Sequence, residues 1–178
     1  MKIPHSERQK MVELIPYSDT YEEETVKRIA DFFGYHSSLL NIEKKEAEES
    51  ITEARDTLRE WQAEAHEFYI IVFQGKRIGF LHLWYKGPQV AWIEDIYVDE
   101  EYRSQGIASH AIRKAEEIVK DHPDYTAVCL DVVPRNENAL RLYYKLGYDS
   151  VNIITLRKEL GENKRDRIEK IFGLKFKI

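Results

Sequence analysis

A chain of 178 residues with 43% hydrophobic and 33% charged residues has the length and composition of one globular domain with a substantial core. Its formal net charge of −5 argues against a nucleic-acid-binding protein, which would need a basic surface. The single cysteine, Cys129, excludes an internal disulfide, and no apolar run is long enough for a membrane span or a signal core. We therefore expect a cytoplasmic protein that binds neither nucleic acid nor a membrane.

The N-terminal third of the sequence predicts a short strand followed by two helices. The strand covers about residues 12–15. A helix then runs to about Phe33, with three glutamates in its first turn, where negative charge is favourable. A second helix is expected over residues 42–65, and residues 34–38 are expected to form the loop between the two helices.

The central part predicts three strands and a helix. Residues 68–73 and 78–85 are apolar runs on either side of a short glycine-containing segment, which is typical of a β-hairpin. Residues 90–98 form the third strand. Apolar residues then recur at helical spacing over residues 107–120, which indicates an amphipathic helix.

The following segment predicts a strand over 126–132 and a helix over 136–146 that is closed by Gly147. Strand, loop, helix and strand form a βαβ crossover, so strands 90–98 and 126–132 should be parallel neighbours. A last strand is expected over residues 151–156. The predicted fold class is therefore α/β, with a central mixed antiparallel and parallel sheet flanked by helices on both faces.

The chain is expected to form a single domain over residues 1–160, because it contains no repeat and no low-complexity linker. Residues 161–178 mix charged and apolar side chains and read as a short helix and a terminal strand. We expect this extension to dock on the domain or on a second subunit, in which case the protein is a homodimer.

The loop that follows strand 90–98 is the most informative feature of the sequence. It reads Arg103-Ser104-Gln105-Gly106-Ile107-Ala108-Ser109 and leads directly into a helix. Unpaired backbone N–H groups and the positive end of the helix offer a site for an anion, typically a phosphate. The small residues Gly106 and Ala108 let such a ligand approach the main chain closely.

Three motifs of the chain carry a family resemblance. They are Ile93-Glu-Asp-Ile-Tyr-Val98, Tyr102-Arg-Ser-Gln-Gly-Ile-Ala-Ser109 and Asn136-Glu-Asn-Ala-Leu-Arg-Leu-Tyr143-Tyr-Lys-Leu-Gly-Tyr148. In this order and spacing they resemble the GNAT superfamily of N-acetyltransferases, and the residues of the first two motifs most resemble those of the diamine and polyamine acetyltransferases. The resemblance implies the GNAT fold and transfer of an acetyl group from acetyl-CoA directly to a primary amine. A polyamine or an amino-acid-like small amine is the expected acceptor; a protein or peptide amine, or acyl-CoA binding without turnover, is the alternative.

The resemblance also implies where acetyl-CoA binds. The glycine loop would hold the pyrophosphate, and the pantetheine arm would lie along the carboxyl end of strand 90–98, which requires strand 126–132 to splay away. Asn136 has helix capping as an equal alternative to contacting the pantetheine amides. The expected cofactor-binding residues are Ile96, Tyr97, Val98, Arg103, Ser104, Gln105, Gly106, Ile107, Ala108, Ser109, Asn136, Asn138, Ala139 and Tyr143.

Tyr143 matches the tyrosine that serves as the acid in the family motif. A phenol with a pKa near ~10 is protonated at neutral pH and can donate its proton to the departing CoA thiolate. The neighbouring Tyr144 is rotated by about 100° around the helix and faces elsewhere. We therefore expect Tyr143 to be the acid, with core packing as its alternative role.

The base that removes the amine proton is less closely defined by the sequence. Glu94 matches the glutamate that polyamine-type relatives use through water, Asp131 in its apolar run is the rival, and a water chain without a single base is the third alternative. Asp95 is expected to bind a cationic substrate or to make a structural ion pair. Alternation along the strand would put Trp92, Glu94 and Ile96 on one face and Ile93, Asp95 and Tyr97 on the other.

The remaining candidates are weaker. Tyr35 and His36 fall where the superfamily shapes its acceptor pocket, so they are expected to contact the substrate. The six histidines show no metal-ligand spacing, and no metal site is expected. His82, which alternates within a strand, is predicted to pack in the core and not to take part in the chemistry.

Overall fold

The computed structural model describes residues 12–43, 45–161 and 165–178. These residues form two compact units. The first contains residues 12–33 and 45–131, and the second contains the other described residues.

A five-stranded sheet forms the centre of the first unit. Its strands are β1 (Val12–Pro16), β2 (His66–Phe73), β3 (Lys76–Trp84), β4 (Val90–Val98) and β5 (Ala127–Leu130). They lie in the order β1-β2-β3-β4-β5, and every neighbouring pair is antiparallel except β4 and β5, which are parallel. The predicted mixed sheet and the predicted parallel pair are therefore confirmed.

Helices cover both faces of this sheet. The described residues form the α-helices α1 (Glu22–Leu39), α2 (Ala47–Glu60), α3 (Ile107–Lys120) and α4 (Glu137–Leu146). Apolar residues of α1 and α2 pack with Trp61, Phe68 and Phe80 in one core cluster. Leu81 and Leu83 alternate with Phe80 along β3 and are also fully buried, on the face where α3 packs against the sheet through β1 and β4.

Two helix boundaries differ from the prediction. Residues 34–38 are helical, since α1 runs on to Leu39. Gly34 costs a helix only about 1 kcal/mol, and no proline follows it in this segment, so a favourable helix continues through it. The second helix is shorter than predicted, spanning Ala47–Glu60 in place of 42–65.

The second unit contains α4 and a small hairpin. The strands β6 (Ile168–Ile171) and β7 (Leu174–Lys177) pair with each other in a sheet of their own. The short helix predicted in the tail is absent from the described residues, because Phe172 and Gly173 adopt positive φ angles and form a tight hairpin turn. Arg135 joins this hairpin to the rest of its unit by donating a 2.7 Å hydrogen bond to the carbonyl oxygen of Ile178.

The strand predicted over residues 151–156 is wrong. These residues are exposed and belong to no strand. Their β-branched composition suits a strand, but a strand forms only where a partner is available for its backbone hydrogen bonds.

None of the helices in the described part of the chain has both the length and the hydropathy needed to cross a bilayer.

Gly79 allows β3 and β4 to approach each other closely. A Cβ atom at this position would lie 2.1 Å from the carbonyl oxygen of Tyr97. We expect Gly79→Ala to lower the free energy of unfolding by about 1–3 kcal/mol, because backbone atoms must move to accept the methyl group. Thermal or urea unfolding measures this loss, and Gly87→Ala, where nothing lies within 4 Å, is the matched control. Equal stability of the two variants would contradict the close approach.

Candidate active site

A β-bulge interrupts β4 where it pairs with β3. His82 lies opposite Asp95, but the next residue of β3, Leu83, lies opposite Ile93. Glu94 is therefore the extra residue of the bulge. Such irregularities change the direction of a side chain at a defined position of a strand, and they are frequent next to active sites.

The bulge overturns the predicted alternation along β4. Because directly paired residues share a face, Asp95 lies on the same face as Trp92, which pairs with Trp84 of β3. Ile96 lies with Ile93 on the other face, where the prediction had placed Ile96 with Trp92. A pattern of period two cannot reveal an inserted residue, so the sequence alone assigned the wrong faces.

The strands β4 and β5 separate halfway along β4. Their parallel pairing begins at Val90 and Ala127 and ends at Ile93 and Leu130, whereas β4 continues to Val98. Residues 94–98 of β4 therefore have one strand neighbour, β3, in the part of the chain that the structure describes. Main-chain groups along this edge are placed to pair with an extended ligand.

The loop 103–109 follows this open edge. Its backbone has positive φ angles at Ser104 (58°) and Gly106 (82°) but not at Gln105 between them. Residues that alternate in this way turn successive N–H groups toward one side and form an anion-binding concavity. Helix α3 begins at Ile107, so the N–H groups of Ile107, Ala108 and Ser109 precede its first internal hydrogen bond and carry its positive dipole end.

The side chains of Arg103 and Gln105 turn back toward the protein. The Nε atom of Arg103 donates to the carbonyl oxygen of Val98 at 2.9 Å, and its guanidinium lies 5.3 Å from the ring centre of Tyr97. The side-chain amide of Gln105 donates to the carbonyl oxygen of Glu101 at 3.2 Å. The Arg103 contact holds the loop against the end of β4 and keeps a positive charge beside it, and the Gln105 contact ties the loop to the short 3-10 helix Glu100–Tyr102.

Glu94 holds the ammonium group of a lysine from the chain itself. The Nζ atom of Lys86 lies 2.8 Å from the Oε2 atom of Glu94. The same Nζ atom is 4.5 Å from the ring centre of Trp84 and 4.0 Å from that of Trp92. Two indole faces and a carboxylate therefore surround a primary alkylammonium beside the bulge of β4.

Asp95 belongs to a chain of polar groups that sequence reasoning missed. Its Oδ2 atom is 3.1 Å from Nδ1 of His82, and Nε2 of His82 is 2.8 Å from Nδ1 of His66. His82 is 1% exposed and stacks on Trp61 at 4.6 Å. Asp95 thus has a histidine partner inside the protein, and His82 has polar partners in addition to the predicted packing. These residues lie on different strands and come together only through the strand register, so no local sequence motif predicts their contact.

Asp131, Tyr35 and His36 do not lie in the secondary structure that the sequence predicted for them. Asp131 is exposed and follows the end of β5 at Leu130, so it does not lie inside a buried strand as the apolar run suggested. Tyr35 and His36 lie on α1, in the second unit, and not in a loop. Their ring centres are 6.2 Å apart.

The remaining predicted residues lie on or beside α4, also in the second unit. The side chain of Asn136 accepts a 3.2 Å hydrogen bond from the backbone N–H of Ala139, so it caps the helix. Asn138 is exposed. Tyr143 is half-buried with its ring 6.2 Å from that of Tyr148, whereas Tyr144 is 71% exposed.

The described residues contain no group of three or more histidine, cysteine, aspartate or glutamate side chains placed to hold a metal ion.

The candidate site consists of three features. They are the open edge of β4, the anion-binding loop before α3, and a polar and aromatic surface around the bulge.

The model of the acetyltransferase (GNAT) family matches residues 36–148 of the chain. This is more than half of its length, and the chain therefore belongs to the GNAT family of acetyltransferases. The family resemblance of the three motifs is confirmed, and with it the class of enzyme, an acyltransferase.

One curated protein matches part of the chain. It is 40% identical over 68 residues to the thialysine N-epsilon-acetyltransferase of Bos taurus, a match of 38% of this chain and 39% of that protein. The chain thus spans about two fifths of the length of this curated relative.

Two solved structures share the fold. A possible acetyltransferase from Clostridium difficile 630 has a TM-score of 0.66 and 15% identity, covering 85% of this chain and 99% of that one. AAC(6')-Iy, solved with the bisubstrate analog CoA-S-monomethyl-acetylneamine, has a TM-score of 0.58 and 17% identity, covering 83% and 98%. At these identities the likeness concerns the fold.

Proposed function

We propose that this chain transfers an acetyl group from acetyl-CoA directly to the primary amine of a small molecule such as a polyamine or an amino-acid-like amine. One observation carries the proposal. β4 parts from β5 after Ile93, next to a loop whose backbone suits a pyrophosphate. An extended, amide-rich ligand with an anionic end fits this combination.

Acetyl-CoA is the donor substrate that this arrangement suits. The main chain of Ile96, Tyr97 and Val98 would pair with the pantetheine amides as an added strand. The pyrophosphate would be held by the loop 103–109, with its two positive φ angles and the first N–H groups of α3. The CoA portion of the bisubstrate analog bound to AAC(6')-Iy supports this choice of donor.

Lys86 supports a primary alkylammonium as the acceptor. Its side chain ends in the same chemical group as a diamine or a lysine-like amine, and it is bound by Glu94 and two tryptophan rings. An acceptor amine that displaces Lys86 would gain the same contacts. The relative named as a thialysine acetyltransferase supports an acceptor of this kind.

The reaction needs a base, a site for negative charge and an acid. An alkylammonium with a pKa near ~10 must lose a proton before it can attack, and Glu94 would take that proton, directly or through water. The backbone N–H groups near Ile96 and Tyr97 would stabilise the oxyanion formed by attack on the thioester. Tyr143, at the position of the family acid, would protonate the departing thiolate.

The proposal is tested by measuring release of the CoA thiol from acetyl-CoA across a panel of polyamines, amino acids, aminoglycosides and peptides. We expect acceptor-dependent release with at least one small primary alkylamine. If the protein binds CoA tightly but no panel member increases thiol release, the chain is an acyl-CoA-binding module and the proposed enzyme activity is wrong.

Lys86 is expected to compete with the acceptor for Glu94. Lys86→Met keeps the length of the side chain and removes its charge, so the KM of the amine should fall about 2- to 5-fold, which corresponds to about 0.5–1 kcal/mol for an exposed cation–π contact. Steady-state kinetics at saturating acetyl-CoA measure this change. The exposed Lys120, at the end of α3, provides the control variant Lys120→Met. A higher KM for the amine in Lys86→Met would show that Lys86 assists acceptor binding and does not oppose it.

A further inference from the structure

His82 is a buried histidine with a polar partner on each ring nitrogen. Nδ1 contacts the carboxylate of Asp95 at 3.1 Å, and Nε2 contacts Nδ1 of His66 at 2.8 Å. The residue is 1% exposed, whereas His66 is only partly buried. The three side chains therefore form a continuous path from a carboxylate inside the sheet to an imidazole near its surface.

The hydrogen bonds fix which nitrogen carries each proton. A carboxylate only accepts, so Nδ1 of His82 donates to Asp95 and its Nε2 is left to accept. Nε2 of His82 then accepts from Nδ1 of His66, which leaves Nε2 of His66 with a lone pair. This is the pattern in which a proton added at one end can be passed along the chain.

Aromatic contacts hold the imidazole rings in one orientation. The ring of His82 stacks on Trp61 at 4.6 Å, and it lies nearly parallel to the ring of His66, with ring centres 5.0 Å apart and 12° between the ring planes. His66 stacks in turn on Trp84 at 4.9 Å. Apolar side chains could fill this space with a smaller desolvation cost than a histidine and a carboxylate. The presence of this buried polar pair therefore indicates a role beyond packing.

His66, the outer end of this hydrogen-bonded path, lies near Glu94. Burial and the neighbouring His82 lower the pKa of His66, and the negative charge of Glu94 raises it in part. The net effect is a lowered pKa, so His66 is neutral at neutral pH and its Nε2 can accept a proton. The ionisable groups around it are His82, Glu94, Asp95 beyond His82, and Lys86 beyond Glu94.

We propose that His66, His82 and Asp95 form a proton relay that takes up the proton released by the acceptor amine. The proposal rests on the proposed function. The proton held by Glu94 passes, through water, to Nε2 of His66. The proton on Nδ1 of His66 then moves to Nε2 of His82, and the resulting imidazolium is paired with the Asp95 carboxylate. The amine has lost one proton, His82 has gained one, and Glu94 is again a carboxylate.

Asp95→Asn tests the charge at the inner end of the relay. Asparagine keeps the size of the side chain and can still accept from Nδ1 of His82, but it cannot stabilise an imidazolium. We expect kcat for amine acetylation at neutral pH to fall about 100-fold, at the lower end of general acid–base effects, with the KM of acetyl-CoA unchanged. The acidic limb of the kcat–pH profile should move to a different pH.

His66→Ala tests the outer end with a side chain that is not fully buried. We expect kcat to fall and to be restored by added imidazole, with a rate that follows the pKa of the imidazole used. His122, whose side chain is 45% exposed beside Glu67, provides the control variant His122→Ala, which should neither lose activity nor respond to imidazole.

The outcomes separate the relay from the proposed function. Wild-type protein that acetylates no amine refutes the proposed function. Active wild-type protein together with fully active Asp95→Asn and His66→Ala variants overturns the relay alone. A loss of activity in His66→Ala that imidazole does not restore also overturns it, since packing would then explain the loss.

Discussion

Replacing Glu94 by glutamine is expected to lower kcat for amine acetylation by about 100- to 10,000-fold, the range for loss of a positioned base. Glutamine has nearly the same shape but neither takes a proton nor attracts the ammonium that the carboxylate binds in the structure. The KM of the amine should therefore rise, while the KM of acetyl-CoA should stay near the wild-type value.

Steady-state kinetics with both substrates varied measure this effect, and Asp131→Asn is the matched comparison. Asp131 is exposed beyond the end of β5, so its loss should leave kcat close to wild type. A large fall of kcat in Asp131→Asn beside a fully active Glu94→Gln would reverse the two assignments. If both variants are fully active, a water chain without a single carboxylate base explains the deprotonation.

Tyr143→Phe is expected to lower kcat by about 100-fold or more, because the variant lacks the hydroxyl that would protonate the departing thiolate. Phenylalanine keeps the ring, so the contact with Tyr148 and the fold of α4 should be preserved. The affinity for acetyl-CoA should be nearly unchanged, which binding titration measures independently of turnover.

Tyr144→Phe is the control for this prediction, since Tyr144 is the adjacent residue and is 71% exposed. It should retain wild-type activity. A Tyr143→Phe variant with full kcat would rule out Tyr143 as the acid and leave it the core-packing role. A weaker thiol leaving group should suffer more from Tyr143→Phe than a better one, if donor analogues are compared.

The features that the sequence predicts well depend on local patterns. The hairpin of β2 and β3, the strand 90–98 and the helix 107–120 are read from contiguous residues, and the structure has β4 at Val90–Val98 and α3 at Ile107–Lys120. The parallel pairing of β4 with β5 follows from the handedness and length of a βαβ crossover. The glycine loop is likewise recognisable from its own residues.

The features that the sequence does not reveal depend on register and on partners. The bulge at Glu94 shifts the faces of β4 by one residue, and only the pairing with β3 shows it. The contact between Asp95 and His82 is a consequence of the same shift. His66 and His82 lie on different strands, so their ring contact has no sequence spacing of its own.

The C-terminal part of the chain shows the same dependence on partners. Residues 151–156 have the composition of a strand, yet they are exposed and unpaired in the described part of the chain. Residues 168–171, which alternate less clearly, form β6 because a hairpin turn at Phe172 and Gly173 brings β7 beside them. Composition indicates which secondary structures a segment can adopt, and pairing with another strand determines whether it forms a strand.

The most direct test of the proposed acetyl transfer uses acetyl-CoA with an isotopically labelled acetyl group and the most active primary amine, followed by mass spectrometry of both the amine and the protein. Direct transfer to the amine predicts one labelled acetyl group on the amine nitrogen for each CoA thiol released, with none on the protein. Label that stays on CoA with every primary amine, although the protein binds CoA, would contradict it.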